Sequence, residues 1–153
     1  MRLTTFTDYS LRVLMFLAAR PQRRATIAEI AAAFDISENH LMKVANALGK
    51  AGVLANVRGK GGGLALAVAA DSINLGQIVR LTEGAPRPAE CFDPVSNACC
   101  IAPACKLRTV LDDAVRAFYA VLDRYTLYDI TRNRNALARI LSIPRPARPR
   151  RAA

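Results

Sequence analysis

The sequence has no tryptophan, only one histidine, and no apolar run long enough to cross a membrane. A Ser/His/Asp or Cys/His nucleophile set could be assembled only around that histidine, His40, and we therefore expect no enzyme activity. The N-terminus also lacks the apolar core and cleavage site of a signal peptide. The sequence therefore predicts a cytoplasmic protein without a membrane partner.

Acidic residues are also scarce, with 12 aspartates and glutamates against 22 lysines and arginines, which leaves a net charge of +10. The last ten residues, 144–153, include four arginines and no acidic residue. The hydrophobic fraction of 52% is sufficient for a folded core, so a disordered chain is excluded. A strongly basic globular protein favours nucleic acid as the first partner to test.

Cysteine is absent from the chain except between residues 91 and 105, where Cys91, Cys99, Cys100 and Cys105 lie. In a reducing cytosol such a cluster is more often a metal or redox site than a disulfide framework, and accidental clustering of inert thiols is the alternative. The gaps are wider than those of common zinc knuckles and match neither ferredoxin pattern. The spacing therefore indicates a soft-metal site without identifying the metal.

The N-terminal half has the pattern of a helix-turn-helix. Thr26 and Glu29 form a capping box that begins one helix. Asp35 then interrupts the apolar pattern, and Ser37 begins the next helix. The segment 53–67, with glycines at its centre, predicts a β-hairpin. A helix, a helix-turn-helix and a hairpin in this order predict a mostly α fold with a small β-hairpin, which is a winged helix.

The second of these helices and the hairpin tip carry side chains suited to DNA. Polar groups on the outer face of the helix can contact base edges and phosphates in a major groove. These groups belong to Ser37, Asn39, His40 and Lys43. Arg58 and Lys60 lie among glycines at the hairpin tip, where a cation can enter a minor groove. The alternative is a structural helical hairpin with a solvated surface turn, but charge and motif order favour DNA.

Composition divides the chain into four segments. Residues 1–85 are the predicted winged helix-turn-helix DNA-binding domain, and residues 86–105 are a cysteine-rich loop. Residues 106–143 contain a predicted long dimerisation helix, which ends near Tyr128, and one short helix. Residues 144–153 are predicted to be a disordered basic tail.

The predicted long helix has apolar side chains at alternating spacings of four and three residues, which is typical of a helix that packs along a partner helix. This seam consists of Leu107, Leu111, Ala114, Phe118, Val121 and Tyr125. Val110, Val115 and Leu122 also permit a core helix within one chain, and this is the alternative.

Four motifs together resemble one known family. They are LTTFTDY at 3–9, NHLMKV at 39–44, VRGKGGG at 57–63 and PACKL at 103–107. In this order they resemble the nitric-oxide-sensing repressors among the winged-helix iron–sulfur transcription regulators, and the resemblance extends over about residues 1–143. It implies a homodimer that binds double-stranded DNA at a palindromic operator, with nitric oxide as the signal.

The resemblance also implies a [4Fe-4S] cluster held by Cys91, Cys99 and Cys105, with Asp8 contributed by the other subunit as the fourth ligand. The first cysteine gap is longer here than the family usually shows, and no histidine follows the last cysteine. For Asp8, the alternative is a first-turn carboxylate that the helix dipole favours.

Three other functions remain open from the sequence. A related sensor could hold a [2Fe-2S] cluster and respond to iron or redox state. A cluster-free DNA-binding protein could have inert or zinc-bound cysteines. An electron-transfer protein would account for the cysteines but would leave the winged helix and the charge of +10 unexplained.

Overall fold

The computed structural model describes residues 2–57, 59 and 61–142. In these ranges the helices are α1 (Thr5–Ala18), α2 (Ile27–Phe34), α3 (Glu38–Lys50), α4 (Leu75–Glu83), α5 (Lys106–Leu122), α6 (Leu127–Ile130) and α7 (Arg134–Ile140). Strands β1 (Leu54–Val57) and β2 (Gly63–Leu66) form an antiparallel hairpin after α3. The predicted mostly α fold with a small hairpin is confirmed. None of the helices in the described ranges is long and apolar enough to cross a bilayer.

Three of the sequence predictions fall on parts of the chain that are not described. The cations predicted at the hairpin tip, Arg58 and Lys60, lie outside the described residues. The predicted basic tail, 144–153, also lies outside them. Their proposed roles therefore remain predictions from the sequence.

Helix α1 is the centre of the main core. Thr4 caps its N-terminus by accepting a hydrogen bond from the Thr7 N–H group at 3.2 Å. Val13 and Leu14 are fully buried, and α3, α4, α6, α7 and β2 all pack against the helix. Burial of a valine or leucine side chain contributes about 1.5–3 kcal/mol. The burial of α1 therefore holds the helix-turn-helix, the hairpin and the C-terminal segment in one core.

The predicted long helix is interrupted before it reaches Tyr128, so the prediction of its end was wrong. After α5 the chain turns, and α6 begins at a second capping box, in which Thr126 and Asp129 bind each other's backbone N–H groups. The turn is fixed by a distant segment, because the Leu75 N–H group donates to the Tyr125 carbonyl oxygen at 3.0 Å. No local pattern in the sequence reports this pairing.

The interruption allows the C-terminal helices to pack on the N-terminal domain. Leu127 of α6 is fully buried in the core around α1. The Arg20 guanidinium, at the end of α1, donates to the Ala138 carbonyl oxygen of α7 at 3.1 Å. Part of the predicted segment 106–143 therefore contributes to the core of the predicted domain 1–85.

Helices α4 and α5 are joined by a bidentate ion pair. The Arg80 guanidinium contacts both Asp123 carboxylate oxygens, at 2.6 and 2.7 Å, and lies 4.4 Å from the centre of the Tyr119 ring. Hydrogen bonds from Arg80 lower the pKa of Asp123. Gly76 makes this contact possible, since a Cβ atom at that position would overlap the Asp123 carboxylate.

Among the described residues, α5 packs against its own chain through one face. Val115 and Tyr119 are buried with Val79 of α4 in a second, smaller cluster, so the alternative of an intrachain contact is correct for this face. Phe118, a member of the predicted seam, also packs against this cluster. The opposite face exposes a row of apolar side chains with alternating spacings of three and four residues. This row, the outer face of α5, consists of Leu107, Val110, Ala114, Ala117 and Val121.

The end of α4 is fastened to the start of α1 by Glu83. Its carboxylate accepts hydrogen bonds from the Thr4 N–H group at 2.6 Å and from the Thr4 hydroxyl group at 3.0 Å. Burial raises the pKa of Glu83, but hydrogen bonds from Thr7 and Thr4 together lower it by more, so that the pKa lies below the usual range. The charged form of Glu83 is therefore stabilised by folding.

We predict that Glu83→Gln lowers the free energy of unfolding at pH 7 by about 1 kcal/mol, because the bonds to a charged acceptor are weakened. The folded-state pKa is lowered, so the contribution of Glu83 is present above its ordinary pKa of 4.5 and is lost as the pH falls through the folded-state value. Urea unfolding at pH 7 and below pH 4 measures both effects. A wild-type advantage that is equally large in acid would contradict the prediction, and Glu38→Gln on the exposed start of α3 is the control.

Candidate nucleic-acid interface and metal centre

Helices α2 and α3 form the predicted helix-turn-helix. The capping box is present, with the Glu29 N–H group donating to the Thr26 hydroxyl at 3.1 Å and the Thr26 N–H group donating to the Glu29 carboxylate at 2.8 Å. Asp35 occupies the turn with φ 56° and ψ 50°, in the left-handed region. Aspartate tolerates this conformation better than most residues, which explains how the turn forms without glycine.

The outer face of α3 is free to contact a ligand. Asn39, His40 and Lys43 are all exposed, while Leu41 and Val44 on the inner face are fully buried. The inner face of α3 is therefore fixed in the core, and the polar side chains of its outer face are exposed to solvent. This is the geometry that major-groove recognition requires.

Ser37 has a structural role in addition to the predicted one. It is the N-cap residue of α3, and its hydroxyl oxygen accepts a hydrogen bond from the His40 N–H group at 3.4 Å. The hydroxyl hydrogen remains available as a donor to a phosphate, since a serine hydroxyl both donates and accepts. The His40 ring lies 6.1 Å from the Tyr9 ring, so α1 supports the start of α3.

The hairpin is extended by a third short segment that the sequence did not predict. Ala25 and Leu64 form an antiparallel bridge, with N–H to carbonyl distances of 3.0 and 2.8 Å in the two directions. Gly63, with φ 140°, lies so close to this segment that a Cβ atom would be 2.9 Å from the Ala25 carbonyl oxygen. A glycine is therefore required where β2 begins. The Ala25 segment thus pairs with the base of the hairpin, which is the wing of the winged helix.

A further cation lies close to the wing tip. The Arg24 guanidinium donates to the Gly61 carbonyl oxygen at 3.4 Å. Arg24 lies in the loop between α1 and α2, and its proximity to the hairpin depends on the Ala25 bridge, which no local pattern in the sequence indicates. Arg24 therefore adds positive charge beside the segment that contains Arg58 and Lys60.

In the cysteine loop, one hydrogen bond joins the neighbourhoods of Cys91 and Cys99, and a second fixes the turn before Cys99. Glu90 precedes Cys91, and its carboxylate accepts a hydrogen bond at 2.6 Å from the N–H group of Ala98, which precedes Cys99. The Cys99 N–H group donates to the Asn97 side-chain oxygen at 3.1 Å. The seven residues between these cysteines therefore form a closed loop, in spite of the unusually long gap.

A second set of hydrogen bonds connects Cys99 with Cys105. The Ala102 N–H group donates to the Cys99 carbonyl oxygen at 3.1 Å, and the Cys105 N–H group donates to the Ala102 carbonyl oxygen at 3.4 Å. Ala102 is buried and anchors this short turn. Cys105 is the N-cap residue of α5, without a side-chain capping bond, so its thiol lies at a helix N-terminus that favours negative charge.

The remaining part of the loop is held by Asp93. Its carboxylate pairs with Arg87 at 2.7 Å and accepts a hydrogen bond from the Val95 N–H group at 3.0 Å. Hydrogen bonds from Val95 and Ser96 lower the pKa of Asp93, so its charged form is the one that fixes the turn. These contacts, all between groups of this chain, hold this part of the loop in one conformation.

The four cysteines differ in accessibility. Cys91, Cys99 and Cys105 are half-buried, whereas Cys100 is exposed, and all four thiols are free. Within residues 2–57, 59 and 61–142, no group of three His, Cys, Asp or Glu side chains converges closely enough to hold a metal ion. The donor set nevertheless fits an iron–sulfur cluster chemically, because thiolates are the ligands that such clusters use.

The Asp8 carboxylate forms an ion pair within its own chain. Its carboxylate oxygens contact the Arg12 guanidinium at 2.8 and 3.0 Å, one turn further along α1. Arg12 also lies 5.8 Å from the centre of the Phe34 ring, at the end of α2. Arg12 was missed in the sequence, where its position four residues after Asp8 was the available signal.

Comparison with known proteins identifies the family of this chain. The model of the Rrf2 family, described as an iron-dependent transcriptional regulator, matches residues 3–133. The chain belongs to the Rrf2 family. Rrf2 proteins are transcriptional regulators, and the exposed polar face of α3 is consistent with the DNA binding that this function implies.

Several similar Rrf2 proteins are named NsrR. The HTH-type transcriptional regulator NsrR of Bacillus subtilis is 47% identical over 144 residues, which cover 94% of this chain and 99% of the relative. NsrR of Geobacillus kaustophilus is 45% identical over 142 residues, which cover 92% and 97%. The predicted resemblance is therefore confirmed, and NsrR is the member to which the four motifs correspond.

Solved structures of Rrf2-type regulators have the same fold. CymR of B. subtilis, the global cysteine regulator, matches with a TM-score of 0.66 and 28% identity over 87% of this chain and 98% of CymR. IscR of T. potens matches with a TM-score of 0.70 and 26% identity over 87% of this chain and 88% of IscR. These matches confirm the predicted winged-helix architecture, while the ligand and DNA-contact residues remain predictions.

Proposed function

We propose that this Rrf2 protein is a cytoplasmic, homodimeric repressor that senses nitric oxide through an iron–sulfur cluster. The observation that carries the proposal is the combination of a winged helix with a loop in which hydrogen bonds link the segments next to Cys91, Cys99 and Cys105. The motifs that resemble those of nitric-oxide-sensing repressors support nitric oxide as the signal. The cluster-loaded dimer binds a palindromic operator, and nitric oxide releases it.

Cys91, Cys99 and Cys105 are the proposed cluster ligands. They are the three half-buried cysteines, and the loop holds each close to a backbone turn or a helix N-terminus. Cys100 is exposed and follows Cys99 directly, so its side chain points elsewhere. A bound [4Fe-4S] cluster would supply iron that reacts with nitric oxide.

The outer face of α5 supports the proposed dimer. Leu107 and Val110 are 62% and 61% exposed, and Val121 is 45% exposed, although each is a large apolar residue. The alternating spacing of this row is that of a helix that packs along another helix. A second copy of α5 would bury the row, and it would place the cysteine loop of one subunit close to the other.

Asp8 is the proposed fourth ligand, donated to the cluster of the partner subunit. In the single chain its carboxylate is held by Arg12, so ligation requires this ion pair to open. Arg12 then loses its partner while it still lies against Phe34 of α2. Return of Asp8 to Arg12 would remove one link between the subunits and could change the spacing of the two copies of α3. Operator release would follow, because these helices must match successive major grooves about 34 Å apart.

Two alternatives are distinguished by one experiment. A [2Fe-2S] sensor would have the same cysteine ligands, and a cluster-free DNA-binding protein would have inert or zinc-bound cysteines. Anaerobic purification followed by absorption spectroscopy and by iron, sulfide and zinc analysis identifies the cluster or its absence. A zinc-loaded or metal-free protein that binds the operator with full affinity would exclude the proposed mechanism.

We predict that Cys91→Ala, Cys99→Ala and Cys105→Ala each give a colourless protein that dimerises but has lost operator affinity. Cys100→Ala, the matched control in the adjacent position, should retain the cluster spectrum, operator binding and the response to nitric oxide. Absorption spectra and gel-shift titrations of the anaerobic proteins measure these properties. A coloured Cys99→Ala with a colourless Cys100→Ala would reverse the assignment.

A second prediction concerns the proposed ligand from α1. Asp8→Ala should preserve the fold and the dimer but make the cluster more labile in air and change its spectrum, because one ligand is lost. Asp112→Ala removes a similar carboxylate, which pairs with Arg116 four residues later on α5, and it should leave the spectrum unchanged. Identical spectra and decay rates for Asp8→Ala and wild type would assign Asp8 to the α1–Arg12 ion pair alone.

The third prediction tests the wing. Arg58→Ala and Lys60→Ala should each weaken operator binding, and each lost phosphate contact should reduce the slope of log K against log salt concentration by about one unit. Arg116→Ala is the control, because this cation pairs with Asp112 and Asp113 on α5. Fluorescence anisotropy at several salt concentrations measures the slope. Unchanged affinity and slope in both wing variants would remove the wing from the interface.

A further inference from the structure

A cavity of about 470 Å³ lies on the side of the molecule where the wing meets the C-terminal helices. Its walls come from the end of α1, from β2 and the segment that follows it, and from α6 and the start of α7. The volume is within the range of small-molecule sites in proteins. We propose that this cavity binds a small organic anion with an apolar body.

Part of the cavity wall is apolar. Leu17 of α1 is only 2% exposed and lines it together with Leu66, the last residue of β2. Val68 lies at the opening and is 44% exposed, although its side chain is apolar. A hydrocarbon or aromatic body placed here would cover surface that otherwise remains in water, and this burial favours binding.

Three arginines lie beside this apolar part of the wall. Arg23, Arg132 and Arg134 line the cavity, and no acidic residue is among the described residues that line it. Arg23 pairs with Glu29, and Arg132 pairs with Asp129 at 2.8 Å, so each of these two cations already has a partner outside the cavity. In the described part of the chain, Arg134 has no ion-pair partner. A carboxylate or similar anion would give Arg134 that partner.

The orientation of one of these cations is fixed before any ligand binds. Arg132 lies 5.7 Å from the centre of the Tyr128 ring while it holds Asp129. An arginine fixed in this way loses less conformational entropy on binding an anion. The cavity therefore combines an apolar wall section with arginine side chains, and these are the two features that recognise an amphipathic anion.

The apolar part of the cavity wall favours a small molecule over a DNA phosphate. A duplex backbone could contact the arginines at the edge, but it could not place apolar atoms against Leu17. A bound organic anion would contact both Leu66 of the wing and Arg134 of α7, so it would stabilise one position of the wing relative to the C-terminal segment. This site is separate from the cysteine loop and does not depend on the proposed cluster.

Isothermal titration calorimetry of the full chain with 2-naphthoate tests the proposal. We expect saturable binding of one molecule per chain. The neutral analogue 2-naphthamide should bind about tenfold more weakly, because it forms no charge-assisted hydrogen bond, and acetate should not saturate since it has no apolar body. Arg134→Gln should weaken 2-naphthoate about tenfold for the same reason. Val68→Asp, at an exposed position that the fold tolerates, should abolish binding by repulsion.

Arg124→Gln is the matched control, because it removes the same charge from an exposed position after α5, and it should leave the affinity unchanged. Equal affinity for 2-naphthoate and 2-naphthamide would overturn the proposal, as would equal weakening by Arg124→Gln and Arg134→Gln. A third outcome would also overturn the proposal. In that outcome duplex DNA displaces 2-naphthoate, and Arg134→Gln weakens duplex binding by the same factor as it weakens 2-naphthoate binding. The surface would then be a phosphate contact. Cluster content has no influence on these readouts, so the proposed nitric oxide function stands or fails separately.

Discussion

The side chains of α1 leave water only by packing against α3, α4, α6, α7 and β2 at the same time, and this shared burial couples segments that are far apart in sequence. The recognition helix, the wing and the C-terminal helices cannot shift independently while these contacts persist. Asp8 and Arg12 lie on the less buried side of the same helix. A displacement at Asp8 would act on the helix that also supports α3, and it would reach the exposed face of α3 without a long relay.

The cysteine loop differs from the apolar core around α1, because polar contacts hold most of its conformation. Asp93 holds one turn, Glu90 closes the long first gap, and Ala102 connects the second pair of cysteines. These bonds restrict the conformations of the loop, which would reduce the entropy that the proposed cluster binding must overcome. In the described residues the three thiols do not converge, so cluster binding would require the loop to adjust.

Local patterns predicted those parts of the fold that depend on local chemistry. The Thr26–Glu29 capping box, the turn at Asp35 and the cap at Ser37 are all present, because each depends on residues within a few positions. The end of α5 was not predictable in this way. It depends on the pairing of Arg80 with Asp123, 43 residues apart, and of Leu75 with Tyr125. For a related reason Phe118 of the predicted seam packs toward α4, whereas Val110 is exposed on the outer face of α5.

The joint between α4 and α5 has a consequence for the construction of chimeric regulators. Gly76 leaves only enough space for the Asp123 carboxylate to reach Arg80, so these three positions form one unit although they belong to different segments of the chain. A chimera that joined the N-terminal part of this chain to the C-terminal part of another protein would keep this fit only if all three positions came from the same parent. The space available at Gly76 is less than one carbon atom, so this junction tolerates little change.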